Sequence, residues 1–386
     1  MSTQTPILLL DGGLGTTLAD QHGCTFAIGS RLWSSTLLFT DPNTILAVQS
    51  AFVEAGADVL LSATYQASFE GFAGTVTNFG EGEEDVDDGI GRGIGEMEAA
   101  MFMRSGVGIA RKAFASSSRK DEKGRGKVAL SLGAYGATMV PSQEYSGKYD
   151  EERMTVSGLK EWHLKRLKAF MPSSATGVGG GRSNSLEEQE RRKCWADVDL
   201  VAFETLPLLE EITAVRAVMG ELELEAEGMG KVRKEFWISC VFPGEGMGLP
   251  DGSQVRHVAE KMLEVEEGLS VPMGVGINCT KVGKLEALIL EFERGIGELV
   301  ERGEAEWPAL VIYPDGTDGE VYNTATKEWV KSEVGNSSGV SWDETVFGIV
   351  DRARKRRFWK CIIVGGCCKT TPDDISKLRR RIDQAS

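Results

Sequence analysis

Residues 361–374 read CIIVGGCCKTTPDD: a short apolar run, two glycines, two adjacent cysteines and a polar turn. An apolar run of this length closed by turn residues is the pattern of a buried strand. It recurs along the chain in ILLLDGG (7–13), DVLLSATY (58–65), KVALSLGAYG (127–136) and DLVAFETLP (199–207). FWISCVF (236–242), MGVGINCT (273–280) and ALVIYPDG (309–316) bring the count to eight. Stretches with helical apolar spacing lie between them, such as PNTILAVQSAFVEAGA, LLEEITAVRAVMGEL and KLEALILEFERGIGELV. In the first of these Asp41 reads as an N-cap, Pro42 as the first helical residue and Gly56 as lying near the end. Strands alternating with helices predict a parallel sheet with crossover helices. The count of eight favours an α/β fold of the (β/α)8 TIM barrel type over an open, Rossmann-like sheet.

Composition narrows the partners. The 386 residues are 41% hydrophobic, and 43 Lys and Arg against 58 Asp and Glu give a formal charge of −15. Nucleic acid and anionic membranes reward basic surfaces, so neither is an expected partner. No run approaches the roughly 18 apolar residues that cross a bilayer, and MSTQTPILLLDGG has no basic n-region. Seven scattered cysteines, an odd number, predict reduced thiols and a cytoplasmic location. GEGEEDVDDGIGRGIG (80–95), SSSRKDEKGRGK (116–127) and PSSATGVGGGRSNSLEE (172–188) read as decoration. The strand–helix alternation resumes after each. The expected organisation is therefore one barrel domain over 1–386, with insertions at 80–126 and 172–192.

In such a barrel the chemistry sits at the carboxyl ends of the strands. There the sequence places Asp11 with Gly12 and Gly13, Tyr65, Tyr135, Glu204, Cys279, Asp315 and the pair Cys367/Cys368. Strand alternation aims Cys367 and Cys368 at opposite faces. They converge only if the chain leaves the strand there, and Gly365–Gly366 are expected to supply that freedom. Cys279 ends another strand 88 residues earlier. Three thiolates make a soft site suited to Zn2+, and three protein ligands leave a position open for a substrate. Buried thiols serving as core filler are the plainer alternative.

A substrate thiol fits the open position, since a metal-bound thiol is deprotonated at neutral pH. The resulting anionic site suits a cationic electrophile such as a sulfonium. Asp11 and Glu204 could hold the ammonium of an amino acid, and the Gly12 and Gly13 N–H groups its carboxylate. The plainer alternatives are a turn cap for Asp11 and a salt-bridged rim residue for Glu204. GGLGTT lacks the spacing and the lysine of nucleotide-binding loops. His22, His163 and His257 stand beside no candidate nucleophile, which argues against a Ser–His or Cys–His hydrolase.

LLLDGGLGTTL, GADVLLSATYQASFEGF, SLGAYGA, FETLP, GINCT, YPDG…GEVYN and VGGCCKTTPDDI, in this order, resemble the homocysteine S-methyltransferase family. The resemblance implies a zinc-dependent barrel that methylates L-homocysteine to methionine. It implies Cys279, Cys367 and Cys368 as zinc ligands, with the homocysteine sulfur as the fourth. It implies Asp11 and Glu204 at the substrate amino group, Gly12 and Gly13 beside the substrate, and Tyr65 near metal and donor. Asn278, preceding the first ligand, is implied as its support. RLWSSTLL (31–38) and ATYQASFEGF look like the S-methylmethionine-type members, with S-adenosylmethionine as the other sulfonium donor. Only 18 residues follow Cys368, so neither the betaine branch nor a tetramer is expected, and the chain reads as a monomer or weak homo-oligomer. YPDGTDGEVYN is longer than the family's usual loop. Selenocysteine as acceptor and a non-catalytic zinc- and homocysteine-binding barrel are the alternatives.

Overall fold

All eight apolar runs form strands in the computed structural model, which describes residues 4–27, 29–75, 93–117, 126–173, 185–228, 233–317, 320–323, 328–331 and 339–385. They are β1 (Ile7–Leu9), β2 (Val59–Leu61), β3 (Lys127–Gly133), β4 (Leu200–Leu206), β5 (Glu235–Cys240), β6 (Gly274–Asn278) and β7 (Ala309–Tyr313). After a two-stranded antiparallel hairpin, β8 (Glu320–Asn323) and β9 (Glu328–Lys331), comes the eighth barrel strand, β10 (Ile362–Val364). The hairpin's first strand falls in the loop already long in sequence, and its second lies beyond that loop.

Every barrel strand pairs in parallel with its neighbours, in the order β1-β10-β7-β6-β5-β4-β3-β2. A parallel bridge between Leu10 and Val59 joins the two ends of that order and closes the circuit. The Asp11 N–H donates to the Val59 carbonyl at 3.1 Å and the Asp58 N–H to the Leu9 carbonyl at 2.7 Å. An open doubly wound sheet has no such closure, so the (β/α)8 barrel holds.

Strand alternation divides the apolar residues into two cores. Leu10, Val59, Ala129, Ala202, Trp237, Val311 and Ile363 point inward and fill the barrel. Leu60, Leu130, Phe203, Ile238, Ile277, Ile312 and Val364 point outward, beneath the helices. The helix Pro42–Glu54 begins as its sequence predicts, with the Asp41 side chain accepting from the Thr44 N–H at 3.2 Å. The helix Pro372–Gln384 starts with a capping box, Thr371 and Asp374 each accepting the other's backbone N–H. This cap fixes the turn that follows the paired cysteines.

Two helices of the outer ring fall in or across the expected insertions. They are Glu96–Ser116, packed on Pro42–Glu54, and Leu186–Asp197. Residues 80–92, 118–125 and 174–184 of those stretches lie outside the described residues. No described helix is long and apolar enough to cross a membrane.

Candidate active site

One cavity opens at the carboxyl ends of the strands. Its lining includes all nine candidate side chains and glycines: Asp11, Gly12, Gly13, Tyr65, Glu204, Asn278, Cys279, Cys367 and Cys368. Tyr135 is not among them. Its hydroxyl donates to Asp150 at 2.5 Å and its ring packs edge-on against Tyr149 and Trp162.

At one end of the cavity lie the sulfurs. Cys279 follows β6 with φ +46°, and Thr205, at the end of β4, has φ +60°. Left-handed backbone is unfavourable for both, most of all for a β-branched threonine. Asn278 holds the two together. Its Oδ1 accepts from the Thr205 N–H at 2.9 Å, and its Nδ2 donates to Thr205 Oγ1 at 2.7 Å and to the Cys279 sulfur at 3.2 Å. The register between β4 and β5 shifts at this place, as it does where a bulge re-aims side chains beside a site.

Cys367 and Cys368 leave β10 between two neighbouring loops. The Cys367 N–H donates to the Pro314 carbonyl at 2.8 Å, and the Cys368 carbonyl accepts from the Gly316 N–H at 2.7 Å. The glycines preceding them work differently from the sequence expectation. Neither has a left-handed φ, a conformation that falls instead to Lys369 at +65°. They are small because backbone passes close by. A Cβ on Gly365 would sit 2.5 Å from the Asp11 carbonyl oxygen, and one on Gly366 2.3 Å from Thr370 Oγ1. Gly13 is also corrected in part. Its N–H is committed to the Thr370 carbonyl and hydroxyl, both at 3.0 Å, and so is not free for a substrate carboxylate.

The sulfurs of Cys279 and Cys367 are joined as a disulfide, with Cα atoms 5.5 Å apart, and Cys368 remains a thiol 4.0 Å from its neighbour's sulfur. The expectation of seven reduced cysteines is therefore not met at this pair. A metal takes the same two sulfurs only as thiolates, so pairing and metal binding exclude each other at these atoms. The donor set otherwise fits a metal well. One ligand atom from each of Cys279, Cys367, Cys368 and Asp315 lies within 4.8 Å of all the others. Asp315 Oδ1 is buried without a hydrogen-bond partner, and burial pushes this carboxyl up to about 7. An orphaned buried carboxylate oxygen beside three sulfurs is what a site made for a cation leaves when no cation is there.

Two carboxylates also line the cavity, and the charge of one acts on the other. Asp11 is 1% exposed and Glu204 3%. Asp11 Oδ2 accepts from the Leu61 N–H at 2.9 Å, while Oδ1 has no partner. This ties it to the neighbouring strand, unlike a cap on its own turn. Glu204 hydrogen-bonds the Ser131 and Tyr313 hydroxyls, and its Oε1 has no partner. It is buried in the barrel, not salt-bridged at a rim. Burial pushes Glu204 up to about 7, and burial together with the Glu204 charge raises Asp11 well above the usual carboxylate range. A cation between them would relieve both.

Several neighbours carry no sequence signal of their own. Arg166, fully buried on the helix Val156–Lys168, donates to the carbonyls of Ala67, Gly133, Thr64 and Tyr65 at 2.6–2.8 Å. It thereby pins the ends of β2 and β3, and its charge favours ionised Glu204. Trp33, Met139, Glu144 and Tyr145 complete the wall from loops. Tyr65 hydrogen-bonds the Thr205 side chain, and burial raises its phenol well above the usual range. No lysine, arginine or histidine lines the cavity among the described residues.

This arrangement can be set beside known proteins. Residues 8–382 match the family profile described as homocysteine S-methyltransferase. Homocysteine S-methyltransferase 4 of Zea mays is 30% identical over 383 residues, covering 98% of this chain and 90% of its own. Selenocysteine Se-methyltransferase of Brassica oleracea var. italica is 28% identical over 384 residues, covering 97% and 88%. The metallated form of the homocysteine methyltransferase MmuM from Escherichia coli superposes with a TM-score of 0.62 at 24% identity, covering 97% of this chain and 96% of that one, a likeness of fold. With its profile matched from the first strand to the last helix, this chain belongs to the homocysteine S-methyltransferase family.

Proposed function

We propose that this protein is a zinc-dependent enzyme that moves a methyl group from a sulfonium donor, S-methylmethionine first and S-adenosylmethionine second, to the sulfur of L-homocysteine. The product from homocysteine is methionine. One observation carries the reading. Two buried carboxylates with unpartnered oxygens and three cysteine sulfurs line the same cavity, which contains no cationic side chain among its described lining residues.

Cys279, Cys367 and Cys368 would hold the zinc once the Cys279–Cys367 pair is reduced. Zinc there would keep the acceptor sulfur as a thiolate at neutral pH, where a free thiol with a pKa near ~8.5 is mostly protonated. Asp11 and Glu204 take the acceptor's ammonium between their unpartnered oxygens, which fixes the distance from that group to the sulfur. Asn278 keeps Cys279 aimed at the cavity through the Thr205 contact. Gly12 stands beside the substrate, and Tyr65 and Trp33 exclude water from the wall. The protein works as one barrel domain on small molecules, as a monomer or weak homo-oligomer in the cytoplasm.

The test is methionine formation from homocysteine and S-methylmethionine with reduced, zinc-replete protein and a zinc-stripped control. Two methionines per homocysteine consumed, lost on stripping and restored by zinc, are expected. Turnover that survives complete stripping would refute the metal, and none with either sulfonium would refute the donor class. Selenocysteine as acceptor is the second reading, favoured by the similarity to the Brassica enzyme. Competition between the two acceptors separates them.

A further inference from the structure

The proposed reaction brings two amino acids into one cavity, and the inference here rests on that reading. Gln66 lines the cavity with an amide whose two ends fare unequally. Its Nε2 donates to the Ala137 carbonyl at 2.6 Å, whereas its Oε1 is buried and has no hydrogen-bond partner among the described residues. The tether fixes the amide's orientation, since turning it over would press Oε1 against the Ala137 oxygen. Gln66 is thus a neutral acceptor in the cavity wall that lacks a donor. Buried acceptors are nearly always paired in folded proteins, so one left open beside a cavity calls for a ligand that brings the missing hydrogen.

The circuit of the barrel places that ligand. Cys279 follows β6, and Cys367 and Cys368 follow β10, the two neighbours of β7. Round the closed order, β3 lies four strands from β7 in either direction, so the loop after β3 stands across the mouth from the sulfurs. Ala137 belongs to that loop, in the 3-10 turn Tyr135–Thr138, and the tether holds the Gln66 amide to it. The turn is itself firmly placed. The Tyr135 N–H donates to buried Glu211 at 2.7 Å, and the Gln143 N–H to the Gly136 carbonyl at 2.8 Å. In-line transfer sets the leaving sulfur on the far side of the methyl from the attacking sulfur. With the attacking sulfur beside the three cysteines, the donor occupies the β3 side, where Gln66 is.

We propose that Gln66 accepts a hydrogen bond from the α-ammonium of the methyl donor and so favours sulfonium donors that are amino acids. With S-methylmethionine as donor, the reactants leave no other hydrogen for it. Carboxylates, thiolates and thioethers only accept, a sulfonium has no N–H, and the acceptor's ammonium goes to Asp11 and Glu204. In the reaction the acceptor thiolate forms a bond to the methyl carbon as the donor's S–CH3 bond breaks. The electron pair of that bond stays on the donor sulfur, which becomes a neutral thioether. The proton of the acceptor thiol has by then gone to water. The ammonium keeps its charge throughout, so the contact contributes to donor binding and leaves the barrier unchanged.

Steady-state kinetics on reduced, zinc-replete protein test this with two donors of one skeleton. They are S-methylmethionine and γ-dimethylsulfoniobutyrate, in which hydrogen replaces the ammonium. Wild type should prefer S-methylmethionine in kcat/KM, and Gln66→Met should lower that preference by ~10–100-fold, as expected for a lost hydrogen bond to a charged group. The loss should appear in the donor KM, with the turnover number within about 3-fold and the homocysteine KM within about 2-fold of wild type. An unchanged preference overturns the assignment, as does a rise in the homocysteine KM in its place. A merely loosened wall would penalise both donors equally, which also overturns it. Where Gln66→Met does not fold, Gln66→Glu keeps the side chain's shape and an acceptor oxygen. The preference must then hold or rise, and a fall refutes the contact. If no sulfonium is turned over, the proposed reaction fails, and calorimetry of the same two ligands on wild type and variant decides the contact by the same ratio.

Discussion

The two ends of the cavity are built by opposite means. Asp11 follows β1 directly and Glu204 lies within β4, both held by the regular geometry of a barrel whose strands hydrogen-bond all the way round. At the sulfur end Cys279, Thr205 and Lys369 all stand in left-handed backbone, stabilised by side chains that reach across from other loops. The carboxylate end is thus preorganised by fold. The sulfur end is preorganised by local contacts that offset its strain, and there the Cys279 and Cys367 sulfurs are paired.

If this contrast holds, substitutions at the two ends should fail in different ways. The largest effect is expected for Cys368→Ala, which should abolish metal binding and methionine formation together while the circular dichroism spectrum stays unchanged. Full turnover by the metal-free variant would remove the mechanism. Asn278→Ala should weaken zinc binding by ~10–100-fold, the size typical of groups that orient a ligand, as read from competition with a chromogenic chelator. Equal affinity would mean that Cys279 needs no support.

Glu204→Gln attacks the other end. It should lower kcat/KM for homocysteine by ~10–100-fold through the lost charged contact and leave zinc affinity unaltered. Its pH signature has a definite sign. The carboxyl is raised from 4.5 to about 7 by burial, so the folded protein holds this proton more tightly than the unfolded chain. The stability from this group is full below about pH 4.5 and is lost as pH rises through about 7. Glu204→Gln should therefore make the substrate-free protein more stable at pH 8 than wild type, by ~3 kcal/mol at most, and no more stable at pH 4. Thermal melts at the two pH values check this, and an equal difference at both would contradict the assigned cause. The smallest effect belongs to Thr371→Ala, which removes one half of the capping box beside the cysteines and should cost about 1 kcal/mol in chemical denaturation.

What the sequence made legible follows the same division. Apolar runs that stop at polar residues mark strand ends, and in a closed barrel strand ends are the mouth. Asp11, Glu204, Cys279, Cys367 and Cys368 could be found in that way, as could the eight strands themselves. Asp315 was visible at a strand end, but nothing in its neighbours said that its carboxylate faces sulfur. Glu144 and Tyr145 sit in an irregular segment with no periodicity to place them, and Arg166 looks like any basic residue on a helix until its four carbonyl partners are seen. The glycines before the paired cysteines were misread because sequence shows that a position is small and not why. Tyr135 had the right position at a strand end and the wrong direction.

The hydrogen bonds from Gly13 to Thr370 have a consequence for how the molecule comes into being. The carboxylate end is contributed by residues 11 and 204, whereas the sulfur end needs residues 279 and 367–368 and is locked by Thr370 onto the turn after β1. During synthesis the first strand must wait for the eighth before its own loop can settle. A growing chain therefore contains Asp11 and Glu204 early, but neither the turn that holds Asp11 nor the metal site settles before β10 arrives. Activity should appear in one step, when β10 slides in between β7 and β1.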